Sequence, residues 1–136
     1  MPIHIPLITG LYAGLCTLLM LVLGARVSMN RRRHKVGVGT GGNRDLELAV
    51  RAHGNAVETI PVALLLLLLF ELNGAAAWAV HAAGAVFTIA RIAHASGLSS
   101  SAGVTQRRFL GMAVTWGVMA VIAVALVVQA VGGWLG

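Results

Sequence analysis

Apolar residues run along this chain in four long blocks that are separated by shorter polar connections. The blocks cover about residues 5–27, 45–72, 75–95 and 106–131. A bilayer core of ~30 Å needs roughly 20 apolar helical residues, and each block is long enough to supply them. The pattern therefore predicts a single all-α domain over residues 1–136, an integral membrane four-helix bundle with one span in each block.

The composition strengthens this interpretation. Hydrophobic residues make up 58% of the chain and charged residues only 10%, whereas soluble domains are about 25% charged. Six of the ten basic residues lie at or beside the first connection: Arg26, Arg31, Arg32, Arg33, Lys35 and Arg44. Such clustering is typical of a cytoplasmic membrane loop and argues against a nucleic-acid-binding face. We interpret the block from Arg31 to Lys35 as anchors for lipid headgroups.

The other basic residues predict the orientation. Arg107 and Arg108 open the fourth span, and the second connection carries no basic residue. Connections one and three share one side of the membrane, because each span reverses the direction of the chain. The positive-inside rule therefore places both basic connections in the cytoplasm and both termini on the opposite side. A glycine-rich stretch at 36–43 and another at 97–103 are predicted to be loops.

The start of the second span is unusually polar for a membrane helix. Arg51, Asn55 and Glu58 are spaced i, i+4 and i+7, so their side chains share one helix face. Ionisable residues within spans are energetically costly and usually face the protein interior for a functional reason. We therefore expect this face to form part of a binding site. Pro61 lies in the same helix, and Asn43 or Asp45 is expected to cap its N-terminus.

All four spans contribute polar residues at the cytoplasmic level: Arg26, Arg51, Asn55, Glu58, Arg91, His94, Arg107 and Arg108. Guanidinium groups suit carboxylates, and one carboxylate suits an ammonium group. The set therefore favours a small zwitterion with net negative charge, such as a peptide-like anion, beside a lipophilic second substrate. No Cys/His set has the spacing of zinc ligands, and Cys16 is the only cysteine.

The segment Arg51-Ala-His-Gly-Asn55-Ala-Val-Glu58-Thr-Ile-Pro61 resembles the second-helix signature of the MAPEG family, the membrane-associated proteins in eicosanoid and glutathione metabolism. The motifs Arg91-Ile-Ala-His94 and Arg107-Arg108 add to the resemblance. It implies a homotrimer that binds glutathione as co-substrate between adjacent subunits, near the cytoplasmic side and without a metal. Family members include glutathione transferases, peroxidases and eicosanoid synthases, and one branch binds lipid without catalysis.

The resemblance also implies roles for individual residues. Arg51, Asn55 and Glu58 match glutathione-contacting positions, Arg26 matches the arginine that ends span one, and Arg91 and His94 match the span-three motif. All six, together with Arg107, are expected to bind glutathione. Arg108, with Arg107 as the alternative, matches the arginine that stabilises the glutathione thiolate. Leu98 stands where eicosanoid-type members carry a tyrosine, and Gly54 stands where several carry an arginine. The chain therefore looks more like a member from a bacterial inner membrane.

Three functions follow as hypotheses. The first is a glutathione-dependent transferase or peroxidase that acts on lipophilic electrophiles or hydroperoxides. The second is a non-catalytic lipid-binding scaffold, because Leu98 replaces the expected tyrosine. The third is a small proton-coupled exporter with Glu58 as the embedded carboxylate, although neighbouring arginines would hold that group ionised.

Overall fold

A computed structural model describes residues 5–100, 103 and 105–135 of the chain. Four helices make up this part: α1 (Leu7–His34), α2 (Arg44–Leu72), α3 (Ala77–Ser100) and α4 (Gln106–Leu135). The prediction of an all-α fold is therefore confirmed. The remaining residues of the predicted domain, 1–4, 101, 102, 104 and 136, lie outside the described part.

Length and apolar composition suit three of these helices for crossing a membrane: Leu7–His34, Arg44–Leu72 and Gln106–Gly133. Helix α3 is not among them within the described residues, although the sequence pattern predicted a span there. It is rich in alanine and glycine, and its apolar run is interrupted by His81, Arg91 and His94. Helix α3 packs against all three other helices, as α2 also does, and its small residues suit such close packing.

Two predicted boundaries differ from the structure. Helix α1 continues past residue 27 to His34, so the arginines at 31–33 belong to its last turn rather than to a loop. Helix α3 continues to Ser100, so the loop predicted at 97–103 is wrong over its first four residues. The reason is that Gly97 serves a helix contact, because a Cβ there would lie 2.7 Å from the backbone nitrogen of Arg108.

The first connection folds back onto the end of α1. Lys35 adopts the left-handed conformation at φ 54°, and Gly39 follows at φ 70°. The Nη1 group of Arg31 donates to the carbonyl oxygens of Gly37 at 3.2 Å and Gly39 at 3.0 Å. Asn43 then caps α2, since its Oδ1 accepts from the backbone nitrogen of Leu46 at 3.0 Å. This outcome confirms the first of the two predicted caps.

A buried carboxylate fastens the opposite end of the bundle. Glu71, 4% exposed near the end of α2, accepts from the backbone nitrogens of Ile8 at 3.0 Å and Thr9 at 2.7 Å. These are first-turn groups of α1, which have no partner within their own helix. Beside them, the Tyr12 hydroxyl donates to the carbonyl oxygen of His81 at 3.1 Å. These hydrogen bonds therefore join α1, α2 and α3 at the end of the bundle opposite the basic first connection.

Candidate functional site

The polar face of α2 lies at the cytoplasmic half of the bundle by the predicted orientation. Arg51, Asn55 and Glu58 follow one another over two turns of unbroken helix. At ~1.5 Å rise per residue, Glu58 lies about 10 Å further along α2 than Arg51. Helix α4 runs parallel to α2 from its own start at Gln106, so Arg108 lies near the same end as Arg51. The face therefore opposes the first turns of α4.

Two glycines allow α3 and α4 to approach closely beside this face. A Cβ at Gly97 would lie 2.7 Å from the backbone nitrogen of Arg108. A Cβ at Gly111 would lie 2.7 Å from both the Ala90 carbonyl oxygen and the His94 backbone nitrogen. Small residues at such crossings let helix backbones meet in lipid. As a result, the end of α3 and the start of α4 together form a wall opposite α2.

Helices α2, α3 and α4 enclose a pocket of about 520 Å³. Its wall carries five of the eight candidate residues together with six others: Val50, Arg51, Gly54, Asn55, Glu58, His94, Leu98, Arg108, Phe109, Met112 and Trp116. A smaller recess of about 240 Å³ shares Arg51, Leu98 and Arg108 with it and extends the pocket toward the first turn of α2. The size and the mixed lining suit a small-molecule ligand.

The ionisable groups on this wall give it a net positive charge. It carries Arg51 and Arg108 against the single carboxylate of Glu58, or +1 when His94 is neutral. Within the described part of the chain, none of these three side chains forms an ion pair. Guanidinium groups without a protein carboxylate are suited to binding the carboxylate of a ligand. The pocket is therefore complementary to a zwitterion with net negative charge.

A short hydrogen bond lies behind the pocket. The Nη2 group of Arg91 on α3 donates to Oδ1 of Asn55 on α2 at 2.6 Å. Arg91 is 0% exposed and does not line the pocket, so in this chain it lies behind the wall. The reason is packing, because its position on α3 faces α2 and not the space in front of α4.

His94 and Arg108 are joined directly. The Nδ1 atom of His94 lies 2.9 Å from the carbonyl oxygen of Arg108. Because a carbonyl oxygen only accepts, Nδ1 must carry the proton, which leaves the Nε2 of a neutral ring as an acceptor. The Thr105 hydroxyl also accepts from the backbone nitrogen of Arg108 at 3.2 Å and thereby caps α4. Two contacts therefore fix the backbone from which the Arg108 guanidinium extends.

Two further candidates lie away from this wall. Arg26 is half-buried on α1, well before the end of that helix, and does not line the pocket. Arg107 is exposed at the start of α4 and is also absent from the wall, which favours Arg108 over Arg107 as the pocket arginine. Helical periodicity explains this difference, since consecutive residues point about 100° apart.

On α4, three apolar pocket residues were not identified from the sequence: Phe109, Met112 and Trp116. Phe109, Met112 and Trp116 are spaced three and then four residues apart, which places them on one face of α4. This spacing is the signal that could have identified them, but a membrane helix is apolar on every side and therefore conceals it. The structure adds an apolar wall to the predicted polar one.

A membrane bundle with a cationic pocket between α2, α3 and α4 is the class of protein that these features define. A sequence profile of the MAPEG family matches residues 9–128, and the chain therefore belongs to the MAPEG family. It is also similar to the inner membrane protein YecN of Escherichia coli strain K12. The two are 39% identical over 110 residues, which cover 81% of this chain and 82% of that relative. The same protein of a second strain, Escherichia coli O6:H1, is equally similar.

Proposed function

We propose that this protein is a glutathione-dependent transferase or peroxidase of a bacterial inner membrane. The observation that carries the proposal is the pocket that unites Arg51, Asn55 and Glu58 with Arg108. Family membership supports a glutathione-related role. Similarity to an inner membrane protein supports the location.

The charges of the pocket match the groups of glutathione. Arg51, near the cytoplasmic mouth, would bind a carboxylate of the tripeptide. Glu58, about two turns further along α2, would bind its ammonium group. Arg108 would lie beside the thiol, since it faces Arg51 and Glu58 across the pocket from the first turn of α4. The net charge of the wall then complements the net negative charge of the ligand.

Arg108 supplies the chemical step in this proposal. A free thiol has a pKa of about 8.5, so most of it is protonated at neutral pH. A guanidinium beside the sulfur favours the thiolate, and the released proton passes to solvent. The thiolate sulfur then forms a bond to an electrophilic carbon as the leaving group departs. With a hydroperoxide, the thiolate sulfur attacks the terminal oxygen, the O–O bond breaks, and the alkoxide takes a proton from solvent and leaves as an alcohol. The sulfenic acid formed on the first glutathione then reacts with a second glutathione, which gives the disulfide and water.

The lipophilic substrate would approach along α4. Phe109, Met112 and Trp116 extend the pocket from Arg108 toward the membrane interior. Trp116 is 65% exposed in a helix suited to crossing the bilayer, so it borders both the pocket and the lipid phase. An electrophile dissolved in the membrane would therefore reach the thiolate without passing through water.

A homotrimer with the site between subunits is part of the proposal. Arg51 and Glu58 are exposed in the single chain, although both line the pocket. Long apolar side chains of α1 are exposed as well, among them Leu11, Leu18 and Leu21. A neighbouring subunit that covers the mouth of the pocket with α1 would bring its own Arg26 toward the ligand. In this arrangement Arg26 would contribute to the site of the neighbouring subunit, although it does not line the pocket of its own subunit.

A second candidate function is lipid binding without catalysis. An apolar groove of about 560 Å³ runs between α3 and α4, and it is lined by Phe70, Trp78, Val86, Val114 and Val121 among others. Such a groove suits an acyl chain. Leu98, which offers no hydroxyl to a thiol, lines the candidate pocket itself. The two functions differ in whether glutathione is consumed.

Conjugation of glutathione to an aryl halide by the purified protein tests the proposal. We expect turnover by the unaltered protein that depends on glutathione concentration and reaches saturation. Binding of lipid with no glutathione-dependent turnover would contradict the proposal and favour the second function.

A further inference from the structure

Arg91 presents a buried cation with one hydrogen bond. It is 0% exposed, and its Nη2 atom donates to Oδ1 of Asn55 at 2.6 Å. Its Nε and Nη1 atoms are buried and have no partner in the described part of the chain. Burying a guanidinium in this way is costly. The position therefore calls for an explanation beyond the packing of α3 against α2.

The bond fixes which end of the Asn55 amide faces Arg91. Asparagine carries an acceptor oxygen and a donor nitrogen that can exchange places by rotation of the side chain. A guanidinium has donors only, so the atom that faces Arg91 must be the oxygen. The Nδ2 group is thereby directed away from Arg91. Asn55 lines the pocket. Unlike Nε and Nη1 of Arg91, its Nδ2 atom is not a buried donor that lacks a hydrogen-bond partner.

The orientation has a chemical consequence for the ligand. An Nδ2 group donates two hydrogen bonds and accepts none. A ligand group beside it must therefore be an acceptor, a carboxylate or a peptide carbonyl. The cation behind the amide polarises it and strengthens this preference. A ligand that places an ammonium or an N–H group here would form no hydrogen bond, because two donors would face each other.

We propose that Arg91 is a positioning residue, which holds Asn55 so that the pocket selects an acceptor group of the thiol peptide at that point. The inference rests on the proposed function for the identity of the ligand. Arg91 acts through Asn55 and does not touch the ligand itself. Helix α3 thus has a role in ligand specificity through Arg91. This role is distinct from that of Arg51 and Glu58, whose charges complement those of the ligand.

Two substitutions separate positioning from simple support of the fold. Asn55→Asp keeps an oxygen opposite Arg91, so the tie between α2 and α3 is retained, but it removes the donor that faces the ligand. Arg91→Met keeps much of the buried volume and removes the donors to Asn55. Arg91→Lys retains a donor and serves as the conservative control. All three are made in the full-length protein in detergent, and thermal unfolding is recorded alongside glutathione binding.

We expect Asn55→Asp to weaken glutathione binding about tenfold or more, the loss typical of a hydrogen bond to a charged group, without lowering the unfolding temperature. Arg91→Met is expected to weaken binding in the same direction, and Arg91→Lys to restore most of it. Unchanged glutathione binding in both Asn55→Asp and Arg91→Met would overturn the inference. If one variant fails to fold, the other decides.

A readout without ligand separates this inference from the proposed function. Isotope labelling of asparagine gives few side-chain signals, because the chain contains only Asn30, Asn43, Asn55 and Asn73. We expect the Asn55 amide signal to move in Arg91→Met and to stay in place in Arg91→Lys. An unmoved signal in Arg91→Met would overturn the positioning role. Failure of the unaltered protein to bind glutathione, with the signal moving as expected, would instead overturn the proposed function.

Discussion

At the scale of single residues, helical periodicity explains why so much of the candidate pocket could be predicted. Arg51, Asn55 and Glu58 share a face because of their spacing, and the structure places all three on one pocket wall. The burial of Arg91 could not be predicted in the same way, since it depends on which neighbour faces that side of α3. Spacing determines the face of a helix, whereas packing determines what that face meets.

Substitution of Arg108 tests the residue proposed to stabilise the thiolate. A nearby cation commonly stabilises a thiolate by about one pKa unit or more, which corresponds to about 1.4 kcal/mol. We therefore expect Arg108→Ala to lower turnover at least about tenfold at neutral pH, and Arg108→Lys to lower it less. Steady-state conjugation rates measure both. Arg32→Ala, an exposed arginine near the end of α1, is the matched control, and an equal loss there would contradict the assignment.

Among the described residues, Glu58 is the only carboxylate on the wall of the main pocket, and its removal tests recognition of the ammonium group. We expect Glu58→Gln to weaken glutathione binding about tenfold, because a charged hydrogen bond becomes a neutral one. Calorimetric titration measures the change. Asp45→Asn, an exposed acid in the first turn of the same helix, should leave binding unaltered. Equal binding by Glu58→Gln and the unaltered protein would exclude the ammonium contact.

At the scale of helices, the sequence located the four elements and placed both ends of α2 within one residue, but it did not locate the C-terminal ends of α1 and α3. The basic block at 31–33 resembled a loop by composition, yet it continues α1 because the last turn of a helix favours cations. Gly97 also resembled a loop residue by composition, but it lies in α3 where that helix contacts α4. Composition does not distinguish a glycine needed for a turn from one needed for close packing.

The α3–α4 contact gives a stability prediction with a matched control on one helix. Gly111→Ala would place a Cβ 2.7 Å from the Ala90 carbonyl oxygen, so we expect it to destabilise the fold by about 1–3 kcal/mol. Gly117 on the same helix has no atom within 4 Å of such a Cβ. Gly117→Ala should therefore be neutral or stabilise by up to about 1 kcal/mol. Thermal unfolding in detergent compares the two, and equal unfolding temperatures would contradict the packing.

At the scale of the whole molecule, the fold class and the family could be predicted from apolar block lengths and one polar motif. The assembly could not, because exposed apolar surface in a membrane protein faces either lipid or another subunit. Arg26 shows the difficulty, since it is a predicted glutathione-binding residue but does not line the pocket of its own chain.

The proposed orientation can be tested with single cysteines in a Cys16→Ser background. Val38, 93% exposed in the first connection, should lie in the cytoplasm, and Gly133 near the end of α4 should lie outside it. A membrane-impermeant thiol reagent added to spheroplasts should therefore label Gly133→Cys, and Val38→Cys only after lysis. The reverse pattern would contradict the orientation.

Mixed assemblies test the proposed site between subunits. If the site combines Arg51 of one subunit with Arg26 of its neighbour, Arg26→Ala and Arg51→Ala should each lose activity as pure assemblies. Coexpression of the two should restore part of it, because some interfaces then contain both arginines. Native mass spectrometry in detergent should show three subunits in each assembly. Absence of any restoration in verified mixed trimers would contradict a shared site.

In the proposed function, this pocket binds glutathione and holds its thiol ionised. Titration of the detergent-solubilised protein with glutathione, followed by ultraviolet absorbance of the thiolate, measures both properties at once. We predict a saturable thiolate signal at neutral pH that Arg108→Ala abolishes while the protein remains folded. Saturable binding with no thiolate signal, or no binding by the unaltered protein, would contradict the account.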